Sequence, residues 1–161
     1  MAQEIERKFL VVGHQWRDEA VHRERLVDGL LATSEGRKVR VRLYATRASL
    51  AIKTARKGRA RLEFEYDIPR ADAEQLIRTE CGPNVLAKTR HRVPYEGFTW
   101  EVDVYEGLLD GVVLAEVEMA TADQEPPLPT WVGREVTDEP EYRKQRLFAD
   151  RMKQALDAPA G

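Results

Sequence analysis

The chain has 161 residues, 42% of them apolar and 34% charged, which suits one domain with a real hydrophobic core and excludes a fold that depends on staples. Its 26 basic and 28 acidic residues leave a net charge of −2, so the one-signed field of a nonspecific nucleic-acid or membrane binder is absent. Cys81 is the single cysteine, which excludes an intrachain disulfide; no Cys/His cluster suggests structural zinc, and neither a signal peptide nor a membrane-spanning run is visible. These features lead us to expect a cytoplasmic protein with neither nucleic-acid nor membrane partners.

Period-two alternation dominates and predicts strands near 2–12, 25–33, 37–45 and 48–55, with turn signals at Ser34-Glu35-Gly36 and Lys57-Gly58. A further strand near 59–69 leads into a short helix over 71–80, which follows Pro69, carries Ala71, Ala73, Leu76 and Ile77, and stops at Cys81-Gly82-Pro83. Strands near 85–93, 97–106 and 112–120 complete a set of eight. The prolines of Gln124-Glu125-Pro126-Pro127-Leu128-Pro129 make a stiff connector. A last helix is expected after Asp138-Glu139-Pro140, capped by Asp138 or Glu139, with Leu147, Phe148, Met152, Ala155 and Leu156 as an apolar stripe against the rest. The predicted fold is mainly β: a closed eight-stranded antiparallel barrel with two or more flanking helices, one domain over 1–157 and a disordered tail over 158–161.

Charge falls on one face of these strands. Alternation sets Glu4, Glu6 and Lys8 opposite Ile5, Arg7 and Phe9, and Lys38, Arg40 and Arg42 opposite Val39, Val41 and Leu43. Glu63, Glu65 and Asp67 form an acidic face, while Lys88, Arg90 and Arg92 form a basic one. Glu101 with Asp103 and Glu116 with Glu118 repeat the acidic pattern. Any one of these strands reads equally well as a sheet with a solvated face and weak cross-strand ion pairs. Six together, in a sheet long enough to close, place the charges inside a barrel, where both signs require counterions. Phosphate oxygens suit the Arg and Lys residues, and hard divalent cations suit the paired carboxylates. His14, His22 and His91 take no part in this pattern; His91 alternates to the outer face.

Glu4-Ile5-Glu6-Arg7-Lys8 resembles the ExExK signature of the CYTH, or triphosphate tunnel metalloenzyme, superfamily. It is followed in order by Arg40-Val41-Arg42, Ile52-Lys53-Thr54, Glu63-Phe64-Glu65, Lys88-Thr89-Arg90, Glu101-Val102-Asp103, Glu116-Val117-Glu118 and Val136-Thr137-Asp138, so the resemblance spans nearly the whole chain. It implies that Lys8, Arg40, Arg42, Lys53, Lys88 and Arg90 grip phosphate oxygens, and that Glu4, Glu6, Glu116 and Glu118 hold two Mg²⁺ or Mn²⁺ ions. Glu63, Glu65, Glu101 and Asp103 take supporting roles, and catalysis falls to Glu4, Glu6, Lys8, Arg40, Arg42 and Lys53. The implied activity is hydrolysis of a linear triphosphate, first of all inorganic tripolyphosphate. Thiamine triphosphatase, adenylate cyclase acting on ATP, and a non-catalytic polyphosphate or nucleotide sensor are the alternatives, and family analogy alone suggests a homodimer. Two positions depart from similar short members: Asp28-Gly29-Leu30-Leu31 stands where Gln-Gly-Tyr-Leu is frequent, and Lys144 stands where Asn is frequent.

Overall fold

The structure, a computed structural model, describes residues 2–158; the expected tail 158–161 lies, beyond Ala158, outside the described residues. The strands are β1 (Gln3–Val11), β2 (His22–Ser34), β3 (Arg37–Leu43), β4 (Ala48–Lys53), β5 (Ala60–Ile68), β6 (Val85–Tyr95), β7 (Phe98–Tyr105), β8 (Val113–Glu118) and β9 (Val132–Glu135). The helices are α1 (Trp16–Glu19), α2 (Arg70–Thr79) and α3 (Lys144–Asp157), with single 3₁₀ turns at Gly107–Leu109 and Pro140–Tyr142.

Antiparallel pairing runs in the order β5-β4-β3-β2-β6-β7-β8-β1, and β1 returns to β5 through Gln3↔Leu62, Glu4↔Arg61 and Ile5↔Ala60, so the eight strands close into a barrel. Tight turns enforce the hairpins. Glu35 and Gly36, at φ of 51° and 80°, make the two-residue connection whose twist matches the flanking strands β2 and β3. The ninth strand is an addition to the expected eight. Beyond Ile5 the second edge of β1 is no longer covered by β5, and β9 pairs there, from Phe9↔Glu135 to Val11↔Val132. Val132-Gly133-Arg134-Glu135 has no alternation of apolar and polar residues to mark it as a strand.

The outside of the barrel carries the apolar core. Phe9, Val93, Trp100, Val102, Ala115 and Val117 pack beneath Trp16 of α1 and Trp131. Edge-on aromatic contacts link Phe9 to Trp100 at 5.3 Å and Trp100 to Trp131 at 5.8 Å. His91 lies on this outer side, its ring edge-on to Trp16 at 4.8 Å, as the alternation required. On the other flank α2 lays Ala73, Leu76 and Ile77 over Val41, Ala48 and Leu31. Gly29 permits that approach, because a Cβ there would come within 2.6 Å of Cys81 Sγ.

A smaller cluster plugs one end of the barrel from within. Leu10, Leu86 and Leu114 share the inward faces of their strands with charged residues, and Tyr105, Leu109, Tyr142 and Leu147 close over them. Two expectations about α3 need correction. It starts at Lys144, with Arg143 at the cap position and no side-chain cap, because Glu139 instead precedes the 3₁₀ turn of Pro140–Tyr142. Its apolar stripe reaches the barrel through Leu147 and Phe148 but not through its last turn, where Ala155 is exposed and Leu156 is 80% exposed.

Candidate active site

Barrel closure aims the charged faces inward and brings residues far apart in sequence into contact. On β1, Glu4 accepts a hydrogen bond from Arg61 Nε at 2.7 Å and lies 3.6 Å from Lys53 Nζ. Glu6 accepts from Arg56 at 2.8 Å, and Lys8 Nζ donates to the Tyr142 carbonyl at 3.3 Å. The neighbouring β8 sets Glu118 opposite Glu6 and Glu116 opposite Lys8. On the other side of β1, along β3–β5, Lys53 meets Glu63 at 3.0 Å, and Arg40 meets Glu63 and Glu65 at 3.6 and 3.4 Å.

A second group forms a chain of alternating charge. Arg42 donates to both oxygens of Asp28 at 2.6 and 2.8 Å, and Lys88 Nζ stands 3.9 Å from Asp28 and 2.7 Å from Asp103. Arg90 grips both oxygens of Asp103 at 2.8 and 2.9 Å and reaches Glu101 at 3.0 Å. All fourteen residues expected from the sequence are thus inside or at the rim of the barrel, but Arg42, Lys88 and Arg90 are already engaged by carboxylates.

Alternation reached further than the expected set. Arg61 lies two residues before Glu63 on the same inward face of β5, so the pattern that marked Glu63 and Glu65 also marks Arg61. Lys38 extends the face of Arg40 and Arg42 in the same way. Asp28 is a lone acid within the apolar run Leu26–Ala32 of β2, and Arg56 sits in the β4–β5 connection where no periodicity applies.

A cavity of about 470 Å³ opens between α3 and the inner faces of β2–β5. Lys38, Arg40, Lys53, Arg61 and Lys144 line it, with Leu30, Leu86 and Phe148 as apolar wall. The cations crowd one another. Burial, then Arg40 and Arg61, push the Lys53 ammonium down to about 8; burial, then Arg61 and Lys144, do the same to Lys38. Arg40 Nε is buried without a hydrogen-bond partner among the described residues. Such a cavity favours a compact polyanion. Around it the carboxylates are crowded too. Burial, then Glu116 and Glu4, push Glu6 up to about 8, whereas for Glu4 the effect of burial is outweighed by Lys53 and Arg61, which hold it at about 2. A second hollow of about 570 Å³, lined by Arg92, Thr99, Glu101 and Glu118, lies at the β6–β7 hairpin end.

The oxygen donors fit a hard divalent cation: Glu6 and Glu116 repel each other unless a proton or a cation intervenes, and Arg56 and Arg61 serve Glu6 and Glu4 as monovalent counterions. They do not make a finished cage, since among the described residues no three His, Cys, Asp or Glu side chains are grouped to hold a metal by themselves. Phosphate oxygens of a ligand would complete such a coordination shell.

A closed antiparallel barrel with a charge-lined interior defines a class of polyanion-binding tunnel proteins. The model of the CYTH domain matches residues 2–148, and the chain belongs to that family. An inorganic triphosphatase of Acetivibrio thermocellus is 36% identical over 150 residues, covering 91% of this chain and 94% of the relative. An inorganic triphosphatase of Nitrosomonas europaea is 34% identical over 149 residues, covering 89% and 95%. A crystal structure of an inorganic triphosphatase shares 31% identity at a TM-score of 0.66, covering 98% of this chain and all of that one, 100%.

Proposed function

We propose that this protein is a metal-dependent triphosphatase that hydrolyses inorganic tripolyphosphate to pyrophosphate and phosphate. The observation that carries this reading is the cavity into which Lys38, Arg40, Lys53, Arg61 and Lys144 converge beside the carboxylates of β1 and β8. Its cations outnumber their partners and its carboxylates are crowded, so a polyphosphate bound with divalent cations neutralises both sets at once. The two similar proteins named inorganic triphosphatases support the same activity.

Within the cavity, Arg40 and Lys53 hold phosphate oxygens, steadied by Glu63 and Glu65, and Lys8 approaches from β1. Glu4, Glu6, Glu116 and Glu118 would hold the cations, two Mg²⁺ or Mn²⁺ ions, and Glu101 and Asp103 steady Arg90 from behind. Divalent cations held there would supply charge neutralisation for the phosphates and a lowered pKa for a water aimed at the terminal phosphorus. The attack breaks the terminal P–O–P bond, and pyrophosphate leaves. Arg42, Lys88 and Arg90 act from the wall. No nucleophilic side chain is required. The lone buried Cys81 suits a reducing, cytoplasmic setting.

The test is release of phosphate and pyrophosphate from tripolyphosphate, ATP and thiamine triphosphate, each with Mg²⁺, Mn²⁺ or chelator, with cyclic AMP assayed alongside. Metal-dependent phosphate release chiefly from tripolyphosphate is the expected result. Cyclic AMP and pyrophosphate from ATP, or tight binding without turnover, would overturn it.

A further inference from the structure

Between the two hollows, on the β2, β3, β6 and β7 side of the barrel, runs the chain of alternating charge. Asp28 lines the cation-rich cavity and Glu101 lines the hollow at the other end; Lys88, Asp103 and Arg90 link them, and among the described residues Arg42 pairs with Asp28 alone. None of the four lines either hollow, and Arg42, Lys88 and Asp103 are only 5%, 1% and 1% exposed. Asp28 anchors this partition from β2. Its carboxylate takes two hydrogen bonds from Arg42 and stands 3.9 Å from Lys88, so both cations face it.

Arg42 is the next inward residue after Arg40 on β3, roughly 6.5 Å further along the strand. A free Arg42 would extend the cationic lining by more than one phosphoryl unit, since two strand residues rise further than the spacing between neighbouring phosphorus atoms. With its Nε and Nη2 committed to Asp28, the lining ends at Arg40.

We propose that Asp28 determines the chain length of the phosphate substrate by holding Arg42 and Lys88 in a partition that makes the cation-lined cavity blind. The inference rests on the triphosphatase reading and names a limit on that site's substrate: three phosphates fit against the partition, and a fourth meets the Asp28 carboxylate with no free cation beside it.

The experiment compares kcat/KM for tripolyphosphate and tetrapolyphosphate in the wild-type protein, Asp28→Asn and Asp28→Glu. The wild type should prefer tripolyphosphate. Asp28→Asn frees a charged donor pair and should raise the tetra-to-tri ratio by about tenfold or more, while Asp28→Glu keeps the carboxylate and leaves the ratio near wild type. If Asp28→Asn does not fold, Asp28→Gln, which likewise removes the countercharge and one of the two acceptor oxygens that hold Arg42, takes its place with the same expected direction. A purely structural pair would lower both activities together and leave the ratio unchanged, which overturns the proposal, as does equal wild-type use of both substrates. Absence of tripolyphosphate turnover in the wild type overturns the triphosphatase reading and this inference with it.

Discussion

Glu6 is crowded by Glu116 and Glu4 and is held in place by Arg56. Glu6→Gln removes a cation-holding oxygen but preserves shape, so turnover of tripolyphosphate should fall by at least about 100-fold while the unfolding midpoint stays close to wild type. Retained turnover with unchanged metal dependence removes Glu6 from the mechanism. Asp28 makes a different prediction. Burial alone would raise its carboxyl, but Arg42 outweighs burial and holds it well below the usual carboxylate range. A carboxyl depressed in the folded state contributes stability above its unfolded pKa, about 3.9, and that contribution is lost as pH falls towards the folded value. Acid titration of stability should therefore be shallower below about pH 4 in Asp28→Asn than in the wild type. Parallel curves would mean the Arg42 pair contributes no pH-dependent stability.

At the scale of elements, the two faces of each strand do separate work. The outer face of β7 holds Trp100, fully buried between Phe9 and Trp131, while its inner face holds Glu101 and Asp103. Trp100→Ala opens a large cavity in the outer core and should destabilise the fold by about 3–5 kcal/mol, read from the denaturant midpoint. A loss under about 1 kcal/mol would mean the outer layers move freely over the barrel. The same division shows why strands were legible in the sequence and other elements were not. Alternation marked β1, β3, β5, β6 and β7 because each has one apolar and one charged face. β9 was invisible because its four residues exist as a strand only where β5 leaves the edge of β1 uncovered. The start of α3 was misplaced because Asp138 and Glu139 resemble caps locally, yet the chain makes a 3₁₀ turn first to bring Tyr142 onto the plug.

Over the whole molecule the near-neutral balance of the sequence conceals an uneven interior, with cations gathered under α3 and Glu101 and Glu118 at the other hollow. Lys38 is pushed down to about 8 by burial, then by Arg61 and Lys144, so in the free protein it is partly neutral above that pH. A bound polyanion favours its charged form and raises its pKa again, so binding takes up protons. Calorimetry in buffers of different ionisation heat should show proton uptake on tripolyphosphate binding at about pH 8.5 and little at about pH 6.5. Equal heats after buffer correction at both pH values would place the ligand away from Lys38.

The sequence by itself determined the inward charges, the barrel they require and the family, because period-two alternation is local and a closed sheet is the structure that turns one face of every strand inward. Only the tertiary structure decided which charges meet. Glu4 with Arg61, Glu6 with Arg56, and Arg42 with Asp28 are partners from different strands or loops, fixed by barrel register and side-chain reach. Which cations remain available to a ligand follows from those pairings, since a buried charge takes the nearest opposite charge that the register supplies.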